Sequence, residues 1–286
     1  MKSIKYFIQF LLILILFFVF KILRLRLASY VSGKIISFIG PYFRSRSLIK
    51  SNILKALPNL SKNEIDKISK AMWHNYGRIL AEYMFIKEFR MSKIRNNIEI
   101  IGQKNLDAIK ESNEPVIFIS GHFNNFELMA MHLEKSGINL AAVYRPLNNR
   151  FLNFIMERIR KKYICKNQIK KGISGTKQLL TFFKKKTSIA LMIDQRVSEG
   201  VRSNFFHHEA FTTTIPAQFV KKFKCKIVPI YIERTHGVNF RLTIHDPLVY
   251  SNDESVESIT SSLNLLMEKM ILKNPEQWIW SHNRWK

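Results

Sequence analysis

His122 and Glu127 are the two side chains of this sequence best suited to moving a proton. A neutral imidazole can take a proton from a hydroxyl near neutral pH. A nearby carboxylate can fix its tautomer and stabilise the imidazolium that forms. The pair follows a short apolar run, Val116-Ile117-Phe118-Ile119-Ser120, that breaks at Gly121. Five residues along a continuous α-helix turn through roughly 140°, so the two side chains would diverge on one helix. They can meet only if His122 sits in a turn and Glu127 on the first turns of the following helix. Gly121 is expected to supply the corner, with Asn124 or Asn125 as the helix N-cap.

Three further positions carry charge where a strand or helix would end. Arg145, in Tyr144-Arg145-Pro146-Leu147, closes an apolar run. Functional sites of open α/β sheets gather at the carboxyl ends of strands, so Arg145 is placed to meet an anionic group. Asp194 follows the run 188–193 directly, and is either a capping residue or a site residue; composition does not separate the two. Arg160 lies in the basic stretch Met156-Glu157-Arg158-Ile159-Arg160-Lys161-Lys162, which by itself reads as a solvated face. His207-His208-Glu209 is not expected to bind metal, because adjacent histidines on one loop seldom reach one ion and no partner cluster has metal-site spacing. Gly-rich phosphate loops, a G-x-S-x-G elbow and a cysteine nucleophile context are absent from the sequence. The closing segment Trp278-Ile279-Trp280-Ser281-His282-Asn283-Arg284-Trp285-Lys286 is aromatic and basic, compatible with core packing, interfacial anchoring or stacking on bases.

The elements that must hold these residues follow from periodicity. Ser61-x-x-Glu64 is a capping-box pattern, and Ile65, Ile68, Met72, Ile79, Leu80 and Tyr83 continue it as a helix to about Arg90. Strands are predicted over 97–101, 116–120, 140–144, 188–193, 226–232 and 240–244. Helices are predicted over 105–112, 125–135, 149–162, 175–184, 215–223 and 254–272. Phe205-Phe206 and Thr212-Thr213-Thr214 suggest a turn packed over an apolar surface. This alternation predicts an α/β fold with a mixed sheet covered by helices. The expected organisation is an N-terminal anchor and basic interfacial segment, 1–60, followed by one α/β domain, 61–286.

With 286 residues, 47% of them hydrophobic, the chain has ample core and is not disordered as a whole. Its formal net charge of +25 points to an anionic partner: nucleic acid, an anionic membrane surface, or acidic substrates and proteins. Two widely spaced cysteines, Cys165 and Cys225, fit a reducing compartment rather than a disulfide framework. Residues 6–20 are apolar except for Gln9, with Lys2 and Lys5 before them and Lys21, Arg24 and Arg26 after. A cleaved signal peptide would show a small-residue cleavage site where this basic cluster stands, so an uncleaved anchor is the expectation. The run is shorter than the ~20 residues of a full span, which leaves spanning and interfacial placement both open. No acidic residue precedes Glu64, and cations interleave with aromatics at Lys34, Phe38, Tyr42, Phe43, Arg44 and Arg46, as on a surface pressed against anionic headgroups.

Taken in order, these motifs resemble the bacterial lipid A late acyltransferases, the lauroyl and myristoyl transferases that finish the lipid A part of lipopolysaccharide. The matching features are the anchor, Gly-His-Phe-x-Asn-Phe-Glu at 121–127, Tyr-Arg-Pro-Leu at 144–147 and the arginine-rich helix around Arg160. Asp194-Gln195, Phe-Phe-x-x-x-Ala-x-Thr at 205–212 and the Trp-x-Trp-x-His-x-Arg-Trp-Lys ending at 278–286 complete the series. The resemblance implies a glycerolphosphate-acyltransferase-like fold, with His122 as catalytic base and Glu127 as its dyad partner. It implies substrate-binding or oxyanion roles for Arg145, Arg160 and Asp194. The implied reaction moves a fatty acyl chain from acyl carrier protein to a hydroxyl of an anionic lipid A precursor. It needs neither metal nor cofactor, and nucleic acid is not an expected partner. The implied location is the cytoplasmic face of the inner membrane. His207, where many members have glycine, and Arg150, where many have proline, are departures in the loops. Rival readings are an acyltransferase of the same superfamily acting on another membrane glycolipid or phospholipid, and a membrane-tethered nucleic-acid-binding protein.

Overall fold

A computed structural model describes residues 2–91 and 97–286. A seven-stranded sheet forms its centre. Its strands in chain order are β1 (Ile98–Ile101), β2 (Ile117–Ser120), β3 (Leu140–Tyr144), β4 (Asn167–Lys170), β5 (Ser188–Met192), β8 (Ile227–His236) and β9 (Asn239–Ile244). The spatial order is β1-β9-β8-β2-β5-β3-β4. Five neighbours, β8-β2-β5-β3-β4, run parallel, while β9 is antiparallel to β8 and carries β1 parallel to itself. The sheet is therefore mixed, as predicted. All four residues of β2 are buried, the pattern of a parallel strand covered on both faces. A separate hairpin of β6 (Val201–Phe205) and β7 (His208–Thr212) turns through Phe206 and His207, both at positive φ.

Helices α5 (Gln103–Ser112), α6 (Glu127–Lys135), α7 (Arg150–Tyr163), α8 (Ile173–Lys184), α9 (Ile215–Phe223) and α10 (Val256–Lys273) connect and flank the strands. Ahead of the sheet stand α1 (Lys2–Ile39), α2 (Arg46–Ala56), α3 (Lys62–Glu82) and the short α4 (Ile86–Arg90). The capping box at the start of α3 is formed: Glu64 N–H donates to Ser61 Oγ at 3.3 Å, and Ser61 N–H to Glu64 Oε2 at 2.8 Å. Helix α1 is broken at Arg24, whose φ of 60° and ψ of 167° are not helical, within the basic cluster that follows the apolar run. Phe17, Phe20, Leu25 and Ala28 from α1, and Ile49 and Ile53 from α2, join the same buried cluster as the sheet.

Several local expectations are corrected. Strands β4, β6 and β7 were not predicted; the polar residues of Asn167-Gln168-Ile169-Lys170 and Val201-Arg202-Ser203-Asn204-Phe205 hide edge and hairpin strands from an apolar-run criterion. Helix α6 begins at Glu127, two residues later than predicted, and neither Asn124 nor Asn125 caps it with its side chain. Asn124 instead takes the left-handed conformation, φ 42°. Gly121 is needed for close approach: a Cβ there would lie 2.8 Å from the Phe123 ring.

Candidate active site

The register of the two central strands brings His122 to Asp194. Ser120 of β2 pairs with Met192 of β5, so the residues two beyond each strand stand side by side. His122 Nδ1 lies 2.8 Å from Asp194 Oδ1, and the His122 backbone N–H donates to Asp194 Oδ2 at 2.9 Å. Trp278 Nε1 also donates to Oδ2, at 2.8 Å. Asp194 is completely buried. Burial alone would raise its pKa; the charge and hydrogen bonds of His122 and the Trp278 donor outweigh it and hold the carboxyl at about 2. In the neutral form of the His122 ring, an ionised Asp194 accepting from Nδ1–H leaves Nε2 as the lone-pair nitrogen. The Phe126 ring packs edge-on against the imidazole, 4.9 Å between centroids.

Glu127 takes a different partner from the one its spacing suggests. Arg160, from the last turn of α7, donates to Glu127 Oε1 through Nε at 2.8 Å and Nη2 at 2.5 Å. Among the hydrogen bonds of the described residues the His122 ring is held by Asp194 and Glu127 by Arg160, so the expected direct His122–Glu127 contact is replaced by two pairs. The reason is strand order: β5 lies next to β2 and brings an acid to the imidazole, while α7 brings a cation to the N-terminus of α6. Glu127 at the first position of α6 also suits the positive end of that helix. The Arg160 side chain is about nine-tenths buried and lies 5.4 Å from the Tyr144 ring centroid, not on a solvated face. Burial opposes its charge, yet Glu127 wins and its pKa is raised.

A second buried pair braces the turn from behind. Arg234 donates to Glu82 Oε1 at 2.6 Å and to Oε2 at 3.0 Å. Ser29 Oγ of α1 donates to Oε1 at 2.7 Å, and Asn125 Nδ2 of the turn to Oε2 at 3.3 Å. Gln277 closes the cage: its backbone carbonyl accepts from the Asn124 N–H at 3.1 Å and its Oε1 from the Asn124 side chain. The same Gln277 side chain exchanges hydrogen bonds with both backbone groups of Arg234, at 2.9 and 3.0 Å. The tail therefore packs into the core; Trp278, Trp280 and Arg284 are all fully buried. Glu82, Arg234 and Gln277 were not singled out by sequence, and Trp278 only as part of an aromatic tail of open role.

In front of His122 opens a cavity of about 1090 Å³. Its walls include Met129 of α6, Ala142 and Val143 of β3, Ile169 of β4, Leu179 of α8 and Leu191 of β5. Its polar lining includes His122, Glu127, Arg160, Arg145 and Lys171, so all five expected site residues lie in or directly behind one pocket, Asp194 behind the imidazole. An imidazole backed by a buried acid, in a cavity lined by both apolar side chains and cations, suits acyl transfer to a hydroxyl of an anionic amphiphile.

The family model for bacterial lipid A biosynthesis acyltransferases matches residues 1–286. The chain belongs to this family. It is 24% identical over 254 residues to the lipid A biosynthesis palmitoleoyltransferase of Escherichia coli (strain K12), covering 86% of this chain and 80% of that one. The lauroyltransferase of the same organism is 23% identical over 251 residues, covering 85% and 79%. Its myristoyltransferase is 24% identical over 262 residues, covering 87% and 76%. Among solved structures, the 1-acyl-sn-glycerophosphate acyltransferase PlsC from Thermotoga maritima is similar with a TM-score of 0.43 at 10% identity, over 89% of this chain and 98% of that one. In this acyltransferase family member the residues around the cavity are thus Glu127, Arg160 and Arg145 at the wall, and His122 backed by Asp194 at the head.

Proposed function

We propose that this chain is a membrane-attached O-acyltransferase of lipid A biosynthesis that moves a fatty acyl group from acyl carrier protein to a hydroxyl of an anionic lipid A precursor. The observation that carries the reading is the His122–Asp194 pair at the head of an apolar cavity edged by Arg145 and Arg160. His122 Nε2 takes the proton of the acceptor hydroxyl as its oxygen attacks the thioester carbonyl. Asp194 holds the ring by Nδ1 and stabilises the imidazolium. The N–H groups of Arg160 not committed to Glu127 are candidates to receive the carbonyl oxygen as it becomes an oxyanion, a contribution often worth about 3 kcal/mol. Collapse breaks the carbon–sulfur bond, and the proton on His122 passes to the departing thiolate. The products are an ester and a free thiol.

The +25 charge suits both partners, an acidic carrier protein and a phosphorylated lipid. An acyl carrier protein donor is cytosolic, which supports a catalytic part on the cytoplasmic face of the inner membrane, with the first sixty residues as the membrane-facing part. The test is an in vitro assay of the full chain in detergent, with acyl carrier protein donors of several chain lengths and the lipid A precursor, followed by mass analysis. One added acyl chain on the precursor supports the reading. Acylation of other glycolipids or phospholipids alone would overturn it.

A further inference from the structure

The apolar start of α1 is long and apolar enough to cross a membrane, yet both of its ends rest on the catalytic part of the chain. At the beginning, Asn149 Nδ2 donates to the Tyr6 carbonyl at 2.8 Å and Arg150 Nη2 to Ser3 Oγ at 3.0 Å. The rings of Phe7 and Phe10 lie 5.5 and 5.7 Å from that of Phe151. Near the break, Lys21 Nζ donates to Glu88 at 2.7 Å and sits over the Phe85 ring. Between these ends Tyr6, Phe10, Ile13, Phe17 and Phe20 recur at helical spacing as the covered side. The other side, with Ile4, Ile8, Leu12, Ile15, Phe18 and Ile22, is exposed and carries no charge between Lys5 and Lys21.

A helix standing upright in a bilayer would carry its first turns about 30 Å away, through the hydrocarbon. Here those turns are bonded to Asn149 and Arg150, polar residues at the start of α7. They would have to be dragged through the hydrocarbon with it, at a cost of several kcal/mol. Lying flat removes the conflict. No residue of helix α7 is fully buried, and the helix has an exposed side: Phe154 on it is 57% exposed, and Leu147 just before it is 40% exposed. Its Arg150, Arg158, Lys161 and Lys162 are all exposed, and Arg158 stacks over Phe154 at 4.4 Å. Apolar rings flanked by cations beside an apolar helix are the chemistry of an interfacial element on an anionic bilayer.

Resting on the membrane attachment proposed above, we infer that the first half of α1 lies in the plane of one leaflet, and that α7 beside it is a second contact with the same anionic surface. The C-terminal end of α7 carries Arg160, so this arrangement sets the Arg160 wall of the cavity at headgroup level. A lipid hydroxyl would reach His122 without the lipid leaving the membrane.

The test uses the full chain with Cys165→Ala and Cys225→Ser, and one new thiol at a time, Ser3→Cys or Glu111→Cys; retained acyl transfer certifies the fold. In inside-out inner-membrane vesicles, a membrane-impermeant maleimide should label both thiols at about equal rates. Labelling of Ser3→Cys only after permeabilisation would overturn the in-plane placement while leaving attachment intact. Failure to float with phosphatidylglycerol-containing vesicles would overturn attachment and this inference together. For α7, a fluorophore on Phe154→Cys should shift to the blue when such vesicles are added, and be quenched more by labels near the headgroup than at the bilayer centre. An unshifted fluorophore, or a shift caused by self-association without lipid, would remove α7 from the membrane surface.

Discussion

The His122 turn is held by two carboxylates that share a chemistry and differ in what they face. In front, Asp194 grips His122; behind, Glu82 grips Arg234. Both acids are fully buried, but the His122 side chain is 22% exposed and looks into the cavity, while Arg234 is 8% exposed and committed to Glu82, Asn75 Oδ1 and the Gly237 carbonyl. A buried acid beside an open imidazole is the arrangement that suits a base. The same acid beside a sealed guanidinium makes a brace, tying Asn125 of the turn to α1, α3 and β8. Residue type and access together divide the two: an imidazole can take up and release a proton and a guanidinium cannot, and the imidazole is the one that faces the cavity.

The sharpest way to break this contrast is at the front. His122→Ala should lower kcat for acyl transfer by roughly 10²–10⁴-fold, with the protein folded and membrane-bound. Asp194→Asn should come close to it, since an amide can present the wrong group to Nδ1 and disturb the tautomer. If mass analysis of the product shows Asp194→Asn near wild-type rate while Glu127→Gln is dead, the pairing seen here is not the working one.

At the back the outcome should move from rate to stability. Arg234→Met strands Glu82 as a buried, unpaired charge and should cost about 3–5 kcal/mol in denaturant unfolding of the detergent-solubilised chain. Glu82→Leu combined with Arg234→Met should recover much of that loss, because the pair is then replaced by apolar volume. A single Arg234→Met with unchanged unfolding midpoint would sink the brace.

These contrasts explain which parts of the site were legible in the sequence. A four-residue apolar strand broken by glycine, followed by histidine, is a local pattern, and the turn was found where it was expected. The partner of that histidine is not local: Asp194 lies 72 residues on, and only the order β2-β5, which periodicity does not encode, puts it there. Glu127 was therefore assigned to the nearest imidazole in sequence rather than to Arg160, which composition read as solvated. Glu82 looked like any polar position of an amphipathic helix, and Gln277 like a loop residue. Resemblance to the family placed Arg160 and Asp194 at the site, but not their partners.

Between front and back stands the Glu127–Arg160 pair, one-tenth exposed at the cavity wall. Glu127→Gln keeps the shape and weakens charged hydrogen bonds by about 1.5–3 kcal/mol, so kcat should fall roughly 10–100-fold. The shape of the pH–rate profile should stay that of the parent, because Glu127 does not touch the His122 ring. A changed profile would instead mark Glu127 as the acid that tunes His122.

The smallest expected effect lies at the edge of the front pair. His282 Nε2 accepts the Arg196 backbone N–H at 3.0 Å, so the ring is neutral in the folded protein. Burial, which the Asp194 charge only partly offsets, pushes its pKa from the ordinary 6.5 down to about 4. The unfolded chain then binds a proton in this window that the native chain does not, so stability present above pH 6.5 is lost as pH falls towards 4. Gln at this position can accept the same N–H without titrating. Comparing His282→Gln with the parent by unfolding at pH 7 and pH 4.5 should show a parent-specific loss on the order of 1 kcal/mol. Equal losses in both proteins would mean that the acid sensitivity belongs elsewhere, and that the imidazole beside Arg196 is a spacer rather than a titrating acceptor.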